Sequence, residues 1–190
     1  MTNHAFLAVE KLYPQARLPV YATEGSAGAD VSACITGVVT LGRREEKGYP
    51  FPTHIFAAGA REGAGICSRC HGTKEQHVPA IVIRPGQRIS VGTGLRFGIP
   101  GGWEMQVRPR SGLALSHGIT TCNSPGTVDS DYRGELQVAL INMDPKDAYI
   151  ILDGDRIAQL IVSPCVRAKF HEEIVPVTGR GSAGFGSTGK

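Results

Sequence analysis

An all-β domain is the fold class that the sequence predicts, and three features of the chain predict it. Short runs rich in Val, Ile and Leu are separated by turns that hold many of the 25 glycines and 12 prolines. Residues 80–100, AIVIRPGQRISVGTGLRFGIP, give strand, turn, strand and turn in succession. In residues 134–144, GELQVALINMD, polar and apolar side chains alternate, which puts Leu136, Val138 and Leu140 on one face. Several short strands with such turns are typical of a β-sandwich or barrel.

The rest of the chain adds one strand, one helix and one segment of different texture. Residues 156–170, RIAQLIVSPCVRAKF, predict a further strand, and residues 111–118, SGLALSHG, predict a short helix that Gly118 ends. Residues 39–78 lack a clean alternation and hold three of the six histidines together with a C-x2-C pair. We therefore interpret residues 39–78 as an insertion into the β domain.

Composition excludes several classes of protein. The chain has 190 residues, of which 41% are hydrophobic and 19% charged, so it predicts one soluble globular domain with its own core. No apolar run approaches the roughly 18 residues that span a bilayer, and the first residues lack the layout of a signal peptide. We therefore expect a cytoplasmic protein without a membrane partner. A net charge of +3 with no basic block predicts no nucleic-acid partner.

Five stretches combine glycine with polar or charged residues. In residues 126–136, GTVDSDYRGEL, Asp129 and Asp131 point to the same side if the segment is extended. Residues 108–115, RPRSGLAL, put two arginines before a helix, whose free N–H groups suit phosphate. Each stretch alone has an ordinary interpretation: a solvated loop for 126–136, a helix cap with surface arginines for 108–115, a buried strand for RIAQLI, a simple turn for GSAGAD and a disordered linker for the glycine-rich tail. In chain order the five are GSAGAD (25–30), RPRSGLAL (108–115), NSPGTVDSDYRG (123–134), GDRIAQLIV (154–162) and RGSAGFGSTG (180–189).

These five stretches, in this order on an all-β chain, closely resemble the motifs of the trimeric dUTPase family. Their residues are most similar to those of actinobacterial or actinophage members. The resemblance covers residues 5–38 and 80–190. It implies a jelly-roll-like β subunit and a homotrimer in which each active site draws on all three chains. The domains it implies are a β core of residues 1–38 and 79–178, the insertion of residues 39–78, and a flexible C-terminal arm of residues 179–190. The arm would close over a neighbouring active site.

The reaction that the resemblance implies is hydrolysis of dUTP to dUMP and pyrophosphate, with Mg²⁺ on the triphosphate. This activity limits uracil in DNA and supplies dUMP for dTTP synthesis. Asp129 matches the residue that activates the attacking water. Asp30 matches a carboxylate that sits near the metal and phosphates.

The same resemblance implies a set of substrate-binding residues. Asn123 matches the position that reads uracil, Tyr132 the position that packs under the deoxyribose, and Phe185 the aromatic that stacks over the base. The remaining matches, mostly phosphate or backbone contacts, are Arg110, Ser111, Gly112, Gly126, Thr127, Val128, Gln159, Arg180, Gly186, Ser187 and Thr188. The family has glycine where this chain has Ala183, so one backbone approach in the arm is altered.

Two alternatives stay open at the level of the sequence. A dCTP deaminase, or a bifunctional deaminase and hydrolase, shares the fold but needs a glutamate base and a different second motif. A second role as a regulator that binds a host protein through the insertion is compatible with the enzyme. The insertion also suggests a phage origin, in which case the compartment is the host cytoplasm.

The insertion itself suggests zinc. His54, Cys67, Cys70 and His77 form an H-x12-C-x2-C-x6-H pattern, and structural zinc sites are often Cys2His2. His71 is an alternative to His77. A glycine-rich loop with incidental cysteines and a thiol redox pair are the other interpretations.

The three remaining cysteines lie in or beside apolar runs. We predict that Cys34, Cys122 and Cys165 are small buried apolar residues.

Overall fold

The computed structural model describes residues 6–36 and 79–184, which form twelve strands and one helix. The strands are β1 (Ala8–Lys11), β2 (Val20–Tyr21), β3 (Ala29–Ser32), β4 (Ala80–Ile83), β5 (Arg88–Gly92), β6 (Leu95–Gly98), β7 (Trp103–Arg108), β8 (Ile119–Thr121), β9 (Gly126–Val128), β10 (Gln137–Asn142), β11 (Tyr149–Leu152) and β12 (Arg156–Pro164). The helix is α1 (Ser111–His117). The prediction of an all-β domain with one short helix is confirmed.

The strands pair into four small antiparallel sheets. The largest has the order β2-β3-β12-β7-β9, and a three-stranded sheet has the order β5-β10-β8. Two further pairs are β1 with β6 and β11 with β4. Strand β12 lies at the centre of the five-stranded sheet, so its residues face β3 on one side and β7 on the other.

The core is filled from the alternating strands that the sequence pattern predicts. On β10, Val138 and Leu140 are fully buried, while Gln137 is exposed and Ala139 is half-buried. On β7, Met105 and Val107 point inward in the same way. One face of each strand thus packs into the core, as period-two alternation requires. The opposite face of β7 and β12 carries polar side chains, and that face presents part of the site described below.

Helix α1 ends where the sequence predicts. Gly118 adopts a left-handed backbone with φ of 65°, and its N–H bonds the carbonyl of Ala114. A side chain there would also meet the backbone of Asp144, so glycine is required by both conformation and space.

Two predictions made from the sequence are wrong. The run of residues 156–170 is a strand only as far as Pro164, and residues 165–184 form neither helix nor strand.

The predicted burial of all three cysteines holds only for Cys34, because Cys122 and Cys165 are exposed. Burial raises the pKa of the Cys34 thiol, and the carboxylates of Asp153 and Glu135 add to the rise. Cys34 therefore stays a neutral thiol at physiological pH.

The chain on either side of residues 37–78 returns to one point of the fold. The N–H of Ile35 donates to Oδ1 of Asp153 at 2.8 Å, and the N–H of Asp153 donates to the carbonyl of Pro79 at 3.0 Å. Ile35 and Pro79 therefore lie close together at the turn between β11 and β12. Among the described residues, no helix is both long and apolar enough to cross a membrane.

Candidate active site

A buried carboxylate on β3 gathers three donors from other parts of the chain. Asp30 is 7% exposed. Its Oδ1 accepts from Nε of Arg110 and from Nε2 of Gln159, each at 3.2 Å, and its Oδ2 accepts from a guanidinium nitrogen of Arg156 at 2.9 Å. Antiparallel pairing places Gln159 directly opposite Asp30. The first, second and fourth motifs therefore meet at one cluster.

The cluster carries more positive than negative charge. One carboxylate faces two guanidinium groups, and the side chains of Arg110 and Arg156 are 23% and 57% exposed. A buried carboxylate needs such partners, because an unpaired charge in the interior is costly. The surplus positive charge at the surface attracts an anion. Guanidinium N–H groups that Asp30 does not use suit phosphate oxygens.

The end of β7 and the start of α1 position Arg110 in this cluster. Arg110 is the N-cap residue of α1, with φ of −87° and ψ of 125°, so it leaves β7 extended before the helix begins. Gly28 lets β12 approach the first motif, since a Cβ there would lie 3.0 Å from Ile161 and 3.2 Å from Gln159.

Burial raises the pKa of the Tyr149 phenol, and the negative charge of Asp155 raises this pKa further. The positive charge of nearby Arg110 lowers it.

The third motif lines a separate cavity of about 350 Å³. Its walls are Thr127 and Val128 on β9, and Asp129 and Tyr132 in the loop that follows. Leu136, the last residue before β10, and Gln137, the first residue of β10, complete them. This volume lies in the range of small-molecule sites, roughly 300–1,000 Å³. None of the residues around Asp30 lines it.

The two carboxylates of this motif do not act as a pair along an extended strand. The N–H of Tyr132 donates to the carbonyl of Asp129 at 3.2 Å, so residues 129–132 form a turn. Asp129 lines the cavity and Asp131 does not. The turn thus selects one of the two aspartates that the sequence left equivalent.

The hairpin before β9 is tightly folded. A Cβ on Gly126 would lie 3.1 Å from Nδ2 of Asn123, so the Asn123 side chain folds back over the start of β9. Val107, which immediately precedes the second motif on β7, pairs with Gly126 of the third motif. Asn123 and Gly126 therefore lie just before Thr127 and Val128, the first residues of the cavity wall.

A family model described as dUTPase matches residues 78–189. A curated Deoxyuridine 5'-triphosphate nucleotidohydrolase from Chlamydia caviae is 42% identical over 179 residues, covering 92% of this chain and 92% of its own length. The chain belongs to the dUTPase family.

Solved dUTPases share the fold. The Staphylococcus bacteriophage 80alpha dUTPase, solved with dUPNHPP, has a TM-score of 0.68 and 20% identity, covering 98% of this chain and 100% of that chain. That work describes phage dUTPases as controlling transfer of virulence genes. The dUTPase from phage phi11 of S. aureus, described with a structural Mg(II) ion, has a TM-score of 0.60 and 16% identity, covering 89% of this chain and 97% of that chain.

Several predicted site residues stand apart from these two regions or outside the described chain. Ser111 and Gly112 are exposed in the first turn of α1, and Arg180 bonds the carbonyl of Ala183 at 3.0 Å in an exposed loop. The predicted arm residues Phe185, Gly186, Ser187 and Thr188, and the predicted zinc ligands His54, Cys67, Cys70 and His77, lie outside the described residues.

Sequence reasoning missed two residues of this site. Arg156 bonds Asp30 as closely as any residue of the cluster, and its place at the start of RIAQLI was the available signal. Glu135 accepts the Tyr132 hydroxyl on its backbone carbonyl, and its carboxylate accepts the N–H of Gly94, a contact 41 residues away that no local pattern encodes.

Proposed function

We propose that this dUTPase family member hydrolyses dUTP to dUMP and pyrophosphate in the cytoplasm, at sites shared between the subunits of a homotrimer. The observation that carries the proposal is the division of the motif residues into two regions. A cationic cluster around Asp30 suits a triphosphate, and a cavity lined by Asp129 and Tyr132 suits a nucleoside. Membership of the family supplies the reaction.

A homotrimer reconciles the two regions. Within one chain the cluster and the cavity have no lining residue in common. Residues 165–184 also leave large apolar side chains more than 90% exposed, namely Val166, Phe170, Ile174 and Val177. Exposed apolar surface of this kind marks an interface. We propose that one subunit supplies Asp30, Arg110 and Gln159 while a neighbour supplies Asp129, and that the arm of residues 179–190 closes the site.

In this scheme the base and sugar occupy the cavity. Asn123 and the backbone of Gly126, Thr127 and Val128 read the uracil edge. The Tyr132 ring supports the deoxyribose and leaves no room for a 2′-hydroxyl. In the arm, Phe185 stacks over the base.

The triphosphate lies against the cationic cluster. Arg110 and Gln159 donate hydrogen bonds to its oxygens, and the free N–H groups of Ser111 and Gly112 in the first turn of α1 add to them. Asp30 holds Arg110 in place. Arg180, Gly186, Ser187 and Thr188 complete the phosphate contacts from the arm.

Asp129 positions and activates the water that attacks the α-phosphorus in line with the departing pyrophosphate. A carboxylate is a weak base near neutral pH, so the position in which Asp129 holds the water matters more than the basicity of Asp129. Asp129 is exposed at the cavity wall, where it can accept a hydrogen bond from that water.

The donor set fits a magnesium ion that arrives with the substrate. No group of three or more His, Cys, Asp or Glu side chains in residues 6–36 and 79–184 forms a metal cage. Mg²⁺ keeps several waters and binds through substrate phosphates with few carboxylates, so a site without a cage suits it. When bound, it neutralises charge on the triphosphate. Asp30, which matches the family carboxylate near the metal and phosphates, is the residue that would bond its water shell.

A substrate panel tests the proposal and separates it from a deaminase. We expect kcat/KM for dUTP to exceed that for UTP by about 10²-fold or more, and that for dCTP by about 10⁴-fold. The products are measured as dUMP and pyrophosphate, and ammonia release is measured with dCTP. Ammonia from dCTP, or equal kcat/KM for dUTP, UTP and dCTP, would contradict the proposal.

Residues 39–78 carry a separate proposal, a structural zinc site formed by His54, Cys67, Cys70 and His77. The support is the ligand pattern and the scarcity of large apolar residues in the segment, which a metal compensates. Elemental analysis of protein purified without added metal should find about one zinc per chain. Changing Cys67 and Cys70 to serine should abolish it, while Cys122→Ser, the control, should not. Protein that contains no zinc would rule the site out. Binding of a protein partner by this segment stays a hypothesis.

A further inference from the structure

The hydroxyl of Tyr132 is already committed within the chain. Its oxygen donates a hydrogen bond to the carbonyl of Glu135 at 2.9 Å, while the residue itself is 47% exposed and lines the cavity. A phenol has one proton to donate. Tyr132 therefore offers a ligand the surface of its ring, and its hydroxyl serves to anchor that ring.

The carbonyl that receives this bond belongs to a firmly held segment. Oε1 of Glu135 accepts the N–H of Gly94 at 2.7 Å. The next residue, Leu136, donates its N–H to Leu95 at 2.7 Å, and its carbonyl accepts from both the N–H and the hydroxyl of Thr93, at 3.1 and 2.7 Å. Leu136 is only 3% exposed. Four hydrogen bonds thus fix residues 135–136 to the turn between β5 and β6.

Gly134 provides the space in which the tyrosine lies. A Cβ at this position would overlap the hydroxyl oxygen of Tyr132 and would lie 2.5 Å from its Cζ and 2.9 Å from its Cε2. Real side-chain contacts are not that short, and Gly134 cannot yield because its neighbour Glu135 is fixed. Any residue larger than glycine must push the ring out of its observed position.

We propose that Gly134 and Glu135 are positioning residues that fix the Tyr132 ring and thereby set the discrimination between deoxyribose and ribose. The inference rests on the proposed function in one respect, the placement of the sugar against this ring. Glu135 supplies the fixed acceptor for the hydroxyl. Gly134 keeps the path between ring and acceptor open. Neither residue needs to touch the substrate.

The main test is Gly134→Ala, with the ratio of kcat/KM for dUTP to that for UTP as the readout. A displaced ring should lower this ratio about tenfold or more, because shifts of about 1 Å at a site cost up to 10²-fold. The matched control is Gly101→Ala, since a Cβ on Gly101 meets nothing within 4 Å. The control should keep the wild-type ratio, and both variants should keep the wild-type melting temperature.

Two further substitutions separate positioning from packing. Glu135→Gln keeps an oxygen to accept the Gly94 N–H, so it should retain most of the discrimination, whereas Glu135→Ala removes one of the four bonds and should lower the ratio about fivefold. Tyr132→Phe keeps the ring but loses its anchor, and should lower the ratio about fivefold, the value of one hydrogen bond. The affinity for the nonhydrolysable analogue dUpNHpp, measured by calorimetry, gives a readout that does not depend on turnover.

The outcomes distinguish this inference from the proposed function. If wild-type protein hydrolyses dUTP and Gly134→Ala keeps the wild-type ratio and the wild-type affinity for dUpNHpp, the positioning role is wrong and the enzyme stands. Equal losses with Glu135→Gln and Glu135→Ala would also overturn it. If wild-type protein neither hydrolyses dUTP nor binds dUpNHpp, the proposed function itself fails.

Discussion

Replacing Asp129 with asparagine should lower kcat for dUTP by about 10³-fold or more while leaving substrate affinity within about threefold of wild type. Asparagine matches aspartate in shape but carries no charge, so it holds the attacking water less firmly and cannot take its proton. Asp129 is exposed at the cavity wall, so the substitution leaves the core and the hydrogen bonds of the fold unchanged. Single-turnover kinetics with dUTP and calorimetry with dUpNHpp measure the two quantities separately.

The adjacent aspartate is the matched control for this prediction. Asp131 has the same charge and lies in the same turn, yet it does not line the cavity. Asp131→Asn should keep kcat within about threefold of wild type, as expected of a surface substitution. A large loss with Asp131→Asn and none with Asp129→Asn would transfer the catalytic role to the other carboxylate.

Mixing two inactive variants should restore activity if subunits share their sites. Arg110→Ala removes a guanidinium from the cluster, and Asp129→Asn removes the carboxylate of the cavity. In trimers formed at random from equal amounts, three quarters contain both chains, and each mixed trimer has one site in three with both native residues. Co-expression should therefore recover about a quarter of wild-type activity in the unselected pool, and about a third after purification through one affinity tag on each variant, which keeps only mixed trimers. Each variant alone should show less than about 1%.

A second pair of variants controls for trimer formation and expression. Gln159 and Arg110 both contact Asp30 within one chain, so they belong to the same half of the site. Mixed trimers of Arg110→Ala and Gln159→Ala should recover no activity, because no site regains both residues. Recovery in this control, or none in the mixture with Asp129→Asn, would contradict a site divided between the cluster and the cavity.

Much of this architecture is readable from local sequence patterns. The alternation in residues 134–144 is sufficient to place Leu136, Val138 and Leu140 in the core, and Gly118 marks the end of the only helix in the described chain. Strand and helix signals of this kind depend on neighbouring residues, so a single sequence carries them. The five motifs, taken in order, are sufficient to identify the family.

The features that the sequence did not disclose depend on a local turn in one case and on contacts between distant residues in the others. Whether Asp129 or Asp131 faces the cavity depends on a turn that local charge does not specify. Arg156 reaches Asp30 across 126 positions of sequence, and Glu135 reaches Gly94 across 41. The exposure of Cys122 and Cys165 likewise depends on which strands pack over them. Such contacts become visible only when the chain is folded.

Hydrolysis of dUTP in ¹⁸O-labelled water is the measurement that tests the central claim most directly. If Asp129 directs water to the α-phosphorus, dUMP should carry one ¹⁸O in its phosphate and pyrophosphate should carry none, as mass spectrometry of both products would record. Label in pyrophosphate would mean attack at the β-phosphorus and a different placement of the triphosphate. Failure to form dUMP at all would contradict the proposed activity.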